Sequence, residues 1–203
     1  MNLKLLSILI VLFSGLLIGC ALSEDKEVGF SIKNNVFVGD ALRKNAEHVD
    51  PVSNEARLIA NKLIESANSG KNAVGLAAPQ IGIGKSVFVY RVPERKDGAV
   101  IFPDEWEVAV NASYEPASDE IAMMPEGCFS VPHFYSRKVP RYKKIHFSYF
   151  TLDGTKVESV EEGYKAQIIQ HETDHLNGVL YIDKLDDTGS LGKLSELKKS
   201  TSK

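Results

Sequence analysis

The chain has 203 residues, of which 43% are hydrophobic and 25% charged, with a formal net charge of −3. These figures suit one well-packed globular domain and leave too little chain for two. The near-balanced charge excludes the basic footprint of a nucleic-acid binder, and no internal repeat or low-complexity stretch interrupts the sequence.

Met1 to Ser23 carries a single charge, Lys4, and Leu5 to Ile18 is almost wholly apolar. A short positive start, a short apolar run and a small residue before a cut describe an export signal, because a membrane span needs about 20 apolar residues. Leu17-Ile18-Gly19-Cys20 resembles the bacterial lipobox, which implies lipid on Cys20 and a mature chain beginning there. Lys4 before the run and Glu24, Asp25 and Glu27 after it favour a domain outside the cytoplasm. The expected organisation is a signal peptide over 1–19, an anchored tether and the start of the domain over 20–49, the main domain over 50–186 and a polar tail over 187–203. The tail is expected to fray or to form a loose helix.

Asp50-Pro51 predicts the start of a first helix, with Asp as cap and Pro at the first helical position. Ile59, Leu63 and Ile64 give it an apolar stripe, and Asn68-Ser69-Gly70 ends it. Asn72 to Gln80 is a small-residue loop where backbone groups can approach a ligand, and Gln80 could offer an N–H to an oxyanion. Strands are predicted at Ser86–Val92, Val108–Asn111 and around Ile145, Phe147, Tyr149 and Thr151. Asp153-Gly154 then predicts a two-residue hairpin turn into Thr155–Val160. Glu161–Leu176 predicts a second helix with acidic residues in its first turn and Gly178 beyond its end. Tyr164, Ile168, His171 and His175 form one inward stripe. The fold class is α+β, with antiparallel strands packed around that helix.

Gln170-His171-Glu172-Thr173-Asp174-His175 contains H-E-x-x-H. Histidines four apart on one helix face can grip one metal ion, with the glutamate beside its water as a general base. Cys128 lies in the turn-like Glu126-Gly127-Cys128-Phe129-Ser130-Val131-Pro132, and only Cys20 accompanies it among cysteines. A thiolate there completes a set of three protein ligands and leaves an open position, as in hydrolytic sites.

Gly75-Leu76-Ala77-Ala78-Pro79-Gln80, Glu126 to Pro132 and Gln170 to Gly178, in this order, resemble peptide deformylase from about Asp50 to about Asp183. The resemblance implies hydrolysis of the N-formyl group from formylmethionyl peptides. It implies one divalent metal, usually ferrous iron, with zinc, nickel or cobalt as substitutes, held by Cys128, His171 and His175. Glu172 would be the general acid/base, and Gln80 and the Phe129 N–H the oxyanion donors. Gly75 would contact the peptide backbone, and Glu126 and Arg141 would form a supporting ion pair. Ala73, Phe129 and Gln167 depart from the family pattern, and the last two point to a first-residue preference broader or more polar than methionine.

An export signal and nascent-chain deformylation conflict, so the expected substrates are formyl peptides outside the cytoplasm; a cytoplasmic enzyme is the alternative. Two other readings compete. His171 to Gly178 follows the metzincin pattern of zinc proteases, but Tyr181 stands where its third histidine belongs. A non-catalytic, lipid-anchored peptide-binding protein is the third reading.

Overall fold

The computed structural model describes residues 39–70, 72–185 and 191–193. Residues 1–38, with the signal-like run and Cys20, lie outside them, as do 186–190 and 194–203.

The first helix, α1, spans Asn54–Ser69. It starts later than Asp50-Pro51 suggests because Ser53 is the better placed cap: its side chain accepts the Ala56 N–H. Asp50 instead closes the preceding turn, its carbonyl receiving the Ser53 hydroxyl and its carboxylate the Val52 N–H. Gly75–Ala77 (β1), Val87–Tyr90 (β2), Glu107–Pro116 (β5), Lys144–Phe150 (β8) and Lys156–Glu162 (β9) make one antiparallel sheet in the order β1-β2-β5-β8-β9. Glu94–Lys96 (β3) and Ala99–Ile101 (β4) form a separate hairpin, turning at Asp97 and Gly98, both with positive φ. Ile121–Cys128 (β6) and Val131–Tyr142 (β7) form a long hairpin, to which Leu191–Lys193 (β10) adds a third strand along β7. Those three residues are thus extended, not part of a terminal helix.

The second helix, α2, spans Gly163–Leu176. At β1 and β2 the five-stranded sheet is buried on both faces, whereas β8 and β9 turn one face outward, and β2 shows how the double burial arises. Val87 and Val89 pack with Ile59 and Leu63 of α1, while Phe88 and Tyr90 pack with Ile168 and Ile169 of α2. Alternation along a strand sends successive side chains to opposite faces, so one short strand serves two cores.

Three expectations are corrected. Glu161 and Glu162 complete β9, so the first turn of α2 carries no acidic residue. The β8–β9 connection runs Thr151 to Thr155, closed by Thr151 N–H on the Thr155 carbonyl, with Gly154 at φ 85°; it is longer than a two-residue turn. Tyr164 heads the α2 stripe but is exposed.

Residues 39–49 also pack on the fold. Leu42 and Val49 are buried, the Ala46 N–H donates to the Leu176 carbonyl at 2.7 Å, and Asn111 exchanges two hydrogen bonds with the Val49 backbone. Gly178 makes this docking close. It sits at φ 72° after α2, where Gly178 N–H and Val179 N–H cap the His175 and Asp174 carbonyls. A Cβ there would lie 2.8 Å from the Arg43 carbonyl carbon. Gly178→Ala should therefore lower stability by about 1 kcal/mol or more, read as a lower denaturant midpoint at unchanged slope.

Candidate metal centre and its relatives

Two elements deliver the three candidate ligands. Cys128 ends β6 at a tight hairpin, opposite Val131. His171 and His175 stand one turn apart on α2, with rings 4.8 Å apart and nearly perpendicular. The sulfur and one nitrogen from each histidine lie within 4.8 Å of one another. A thiol and two imidazoles at that spacing fit a single divalent ion with an open position, and among the described residues no other such group occurs.

The histidines are prepared differently. His171 Nδ1 meets Glu126 Oε2 at 2.8 Å, which fixes the ring and leaves Nε2 for the cluster. Burial opposes charge on His171, but hydrogen bonds with Cys128 and Glu126 outweigh it and hold its pKa well above the ordinary value. His175 Nε2 is 3.3 Å from Cys128 Sγ, its Nδ1 is buried without a partner, and burial holds its pKa well below the ordinary value.

Behind His171 runs a buried charge network. Arg141 grips Glu126 with both Nε, at 2.6 Å, and Nη2, at 2.8 Å, while its Nη1 bonds Asp174. Burial alone would raise the Glu126 pKa, but hydrogen bonds from Arg141 and His171 pull it down to about 2. Lys184 and the Tyr114 hydroxyl also reach Asp174, each at 3.3 Å. The expected Glu126–Arg141 pair is thus present and extends to a further carboxylate.

Gln80 is aimed by its own loop. The Ala77 N–H donates to its Oε1 at 2.8 Å, which turns Nε2 toward Cys128 Sγ (3.6 Å) and Ser130 Oγ (3.3 Å). The Ser130 N–H also reaches the sulfur, at 3.3 Å. Glu172 is buried, and desolvation pushes its pKa up to about 7. Its carboxylate packs on Gly75, where a Cβ would stand 2.3 Å from Oε1. The sequence offered Gly75 only as a backbone contact; its missing side chain is also what makes room for Glu172.

A cleft of about 310 Å³ opens on the cluster, lined by Gly75, Gln80, Cys128, Phe129, His171 and Glu172 among others. The sequence-chosen residues of the domain therefore converge on one site. Residues 35–190 match the family model for polypeptide deformylase.

The chain belongs to the polypeptide deformylase family. Peptide deformylase 2 of Rickettsia conorii is 36% identical over 166 residues, spanning 79% of this chain and 75% of that protein. The Fusobacterium nucleatum peptide deformylase is 34% identical over 167 residues, 80% of this chain and 90% of its own. Among solved structures, peptide deformylase from Thermotoga maritima aligns with a TM-score of 0.64 at 33% identity, covering 75% of this chain and 95% of that one. The Acinetobacter baumannii deformylase with Met-Ala-Ser bound aligns at 0.65 and 32% identity, covering 74% and 96%.

As a deformylase the chain is a hydrolase of N-formyl peptides that uses one divalent metal ion, ferrous iron being typical. The metzincin reading gains nothing from the structure: Tyr181 is buried with its ring 6.4 Å from that of His171, packing where a third histidine would have to ligate. Two contributors escaped the sequence reading. Asp174 lies inside the H-E-x-x-H segment itself, yet its partner Arg141 is 33 residues away. Ser130, two residues past Cys128, shares the Gln80 amide.

Arg141→Met would take the shared guanidinium from two buried carboxylates, leaving Glu126 with His171 and Gln167 and Asp174 with Lys184 and Tyr114. Loss of one partner from such a network costs roughly 3–5 kcal/mol, so a large fall in the denaturant midpoint is expected, with weaker metal retention at equal chelator.

Proposed function

We propose that Cys128, His171 and His175 hold the single divalent ion of a working peptide deformylase, with Glu172 as its general acid/base. One observation carries the reading: three ligand-type atoms within 4.8 Å of one another, beside a buried carboxylate whose pKa is pushed up to about 7. When bound, the ion supplies Lewis acidity and lowers the pKa of water. Glu172 accepts a proton from the water that attacks the formyl carbon, then delivers it to the amine nitrogen as the C–N bond breaks and formate departs. A carboxylate poised near neutrality can do both. The Gln80 amide, held by Ala77, donates to the oxygen on which charge develops, and so does the Phe129 N–H. Gly75 leaves the carboxylate its place and offers its backbone to the peptide. The substrate's side chain fills the cleft and keeps bulk water from the reacting carbon.

The location of this chemistry is read from sequence. Leu17-Ile18-Gly19-Cys20 supports lipidation at Cys20 and attachment to a membrane surface, with free N-formyl peptides outside the cytoplasm as substrates. The implied anchor is lipid, and two acyl chains anchor stably where one does not. No described helix is long and apolar enough to cross a membrane. Mass spectrometry of the mature N-terminus should find a lipid-modified Cys20. In cells lacking their own deformylase, the chain without residues 1–19 should rescue growth and the full-length chain should not. Equal rescue by a soluble full-length protein would return the enzyme to the cytoplasm.

Cys128→Ala, His171→Ala and His175→Ala should each lose most bound metal by elemental analysis, because three protein ligands are the minimum for such a site. Full occupancy in any of them would remove that residue from the set. Glu172→Gln should keep its metal and lose about 10²–10⁴-fold in formate release. Gly75→Ala should also keep metal and lose about 10²-fold in kcat, because the new methyl displaces the Glu172 carboxylate.

A further inference from the structure

We propose that Gln167 sets the first-residue preference of this enzyme, its side-chain carbonyl accepting a hydrogen bond from a donor-bearing side chain next to the formyl group. The inference rests on the deformylase reading of the site.

Gln167 stands one turn before His171 on α2, on the same helix face. It lines the cleft with the apolar Val74, Phe129, Tyr164 and Ile168. Only 5% of it is exposed. Its Nε2 donates to the Pro125 carbonyl at 2.9 Å and to Glu126 Oε1 at 3.3 Å. Both partners are acceptors only, so a reversed amide would set oxygen against a carbonyl and a carboxylate. The orientation is therefore fixed by the network. The carbonyl oxygen is left over. Among the described residues no donor meets Oε1, and it is not one of the wholly buried atoms without a partner. It faces the cleft.

The same cleft is lined by Cys128, His171 and Glu172. A formyl carbon held there leaves the neighbouring side chain against Gln167. A methionine thioether cannot donate, so it would cover Oε1 without replacing the water it displaces, which is unfavourable for a buried acceptor. Glutamine has similar length and ends in an amide that can donate. The favoured class is N-formyl peptides whose first side chain ends in a neutral N–H donor.

The test compares formate release from formyl-Gln-Ala-Ser and formyl-Met-Ala-Ser by the full, metal-loaded chain and by Gln167→Leu and length-matched Gln167→Met. The wild type should turn over the glutamine peptide with kcat/KM at least equal to that of the methionine peptide. Each variant should shift the ratio about tenfold toward methionine, chiefly through KM. A purely structural role would lower both substrates together and leave the ratio unchanged, which would overturn the proposal. A wild type strongly favouring methionine would overturn it without any variant. Methionine turnover with an unmoved ratio leaves the deformylase reading standing; no formate from either peptide sinks both.

Discussion

The site depends on one buried guanidinium. Arg141, on β7, binds Glu126 on β6 and Asp174 on α2, so it joins the hairpin that carries Cys128 to the helix that carries both histidines. Two buried carboxylates beside each other would repel. With Arg141 between them they become a rigid frame, and Glu126 is left charged to hold the His171 ring. Such a network is a weak source of net stability, since desolvating its charges offsets much of their attraction. Its value here is geometric, because it fixes the angle at which two unrelated pieces of chain meet.

A second constraint is steric. β1 passes so close to α2 that Glu172 can occupy only the space a glycine leaves, at Gly75. The same close approach buries the carboxylate and raises its pKa. Packing and acid–base chemistry are thus one fact: the sheet edge presses on the helix, and the pressure both positions Glu172 and desolvates it. Gln80 follows on the same strand-to-turn path, so the sequence Gly75 to Gln80 writes both the room for the base and the amide beside the sulfur.

The fold class and the convergence of Cys128, Gln80, His171, Glu172 and His175 were legible because each sits in a short local pattern whose chemistry is unusual. What was not legible depended on distant partners or on competing local signals. Asp50 looks like the α1 cap in the sequence, and only the fold shows that Ser53 takes that place. Asp-Gly occurs twice, and it makes a two-residue turn at Asp97-Gly98 and a longer one at Asp153-Gly154, because strand register decides the loop length. The β6–β7 hairpin is punctuated by Pro125, Gly127, Pro132 and Pro140, which hide its alternation; two register shifts, with the extra residues on β7, absorb part of the irregularity. Gln167 was readable as a polar residue at the site, but not that its donor half is already engaged.

The most direct measurement is X-ray absorption at the metal edge of the protein loaded with one equivalent of ferrous iron or zinc. One sulfur and two imidazole nitrogens, completed by light-atom ligands, is the predicted coordination. A shell without sulfur, or with a single imidazole, would contradict the assignment of Cys128, His171 and His175 to one ion.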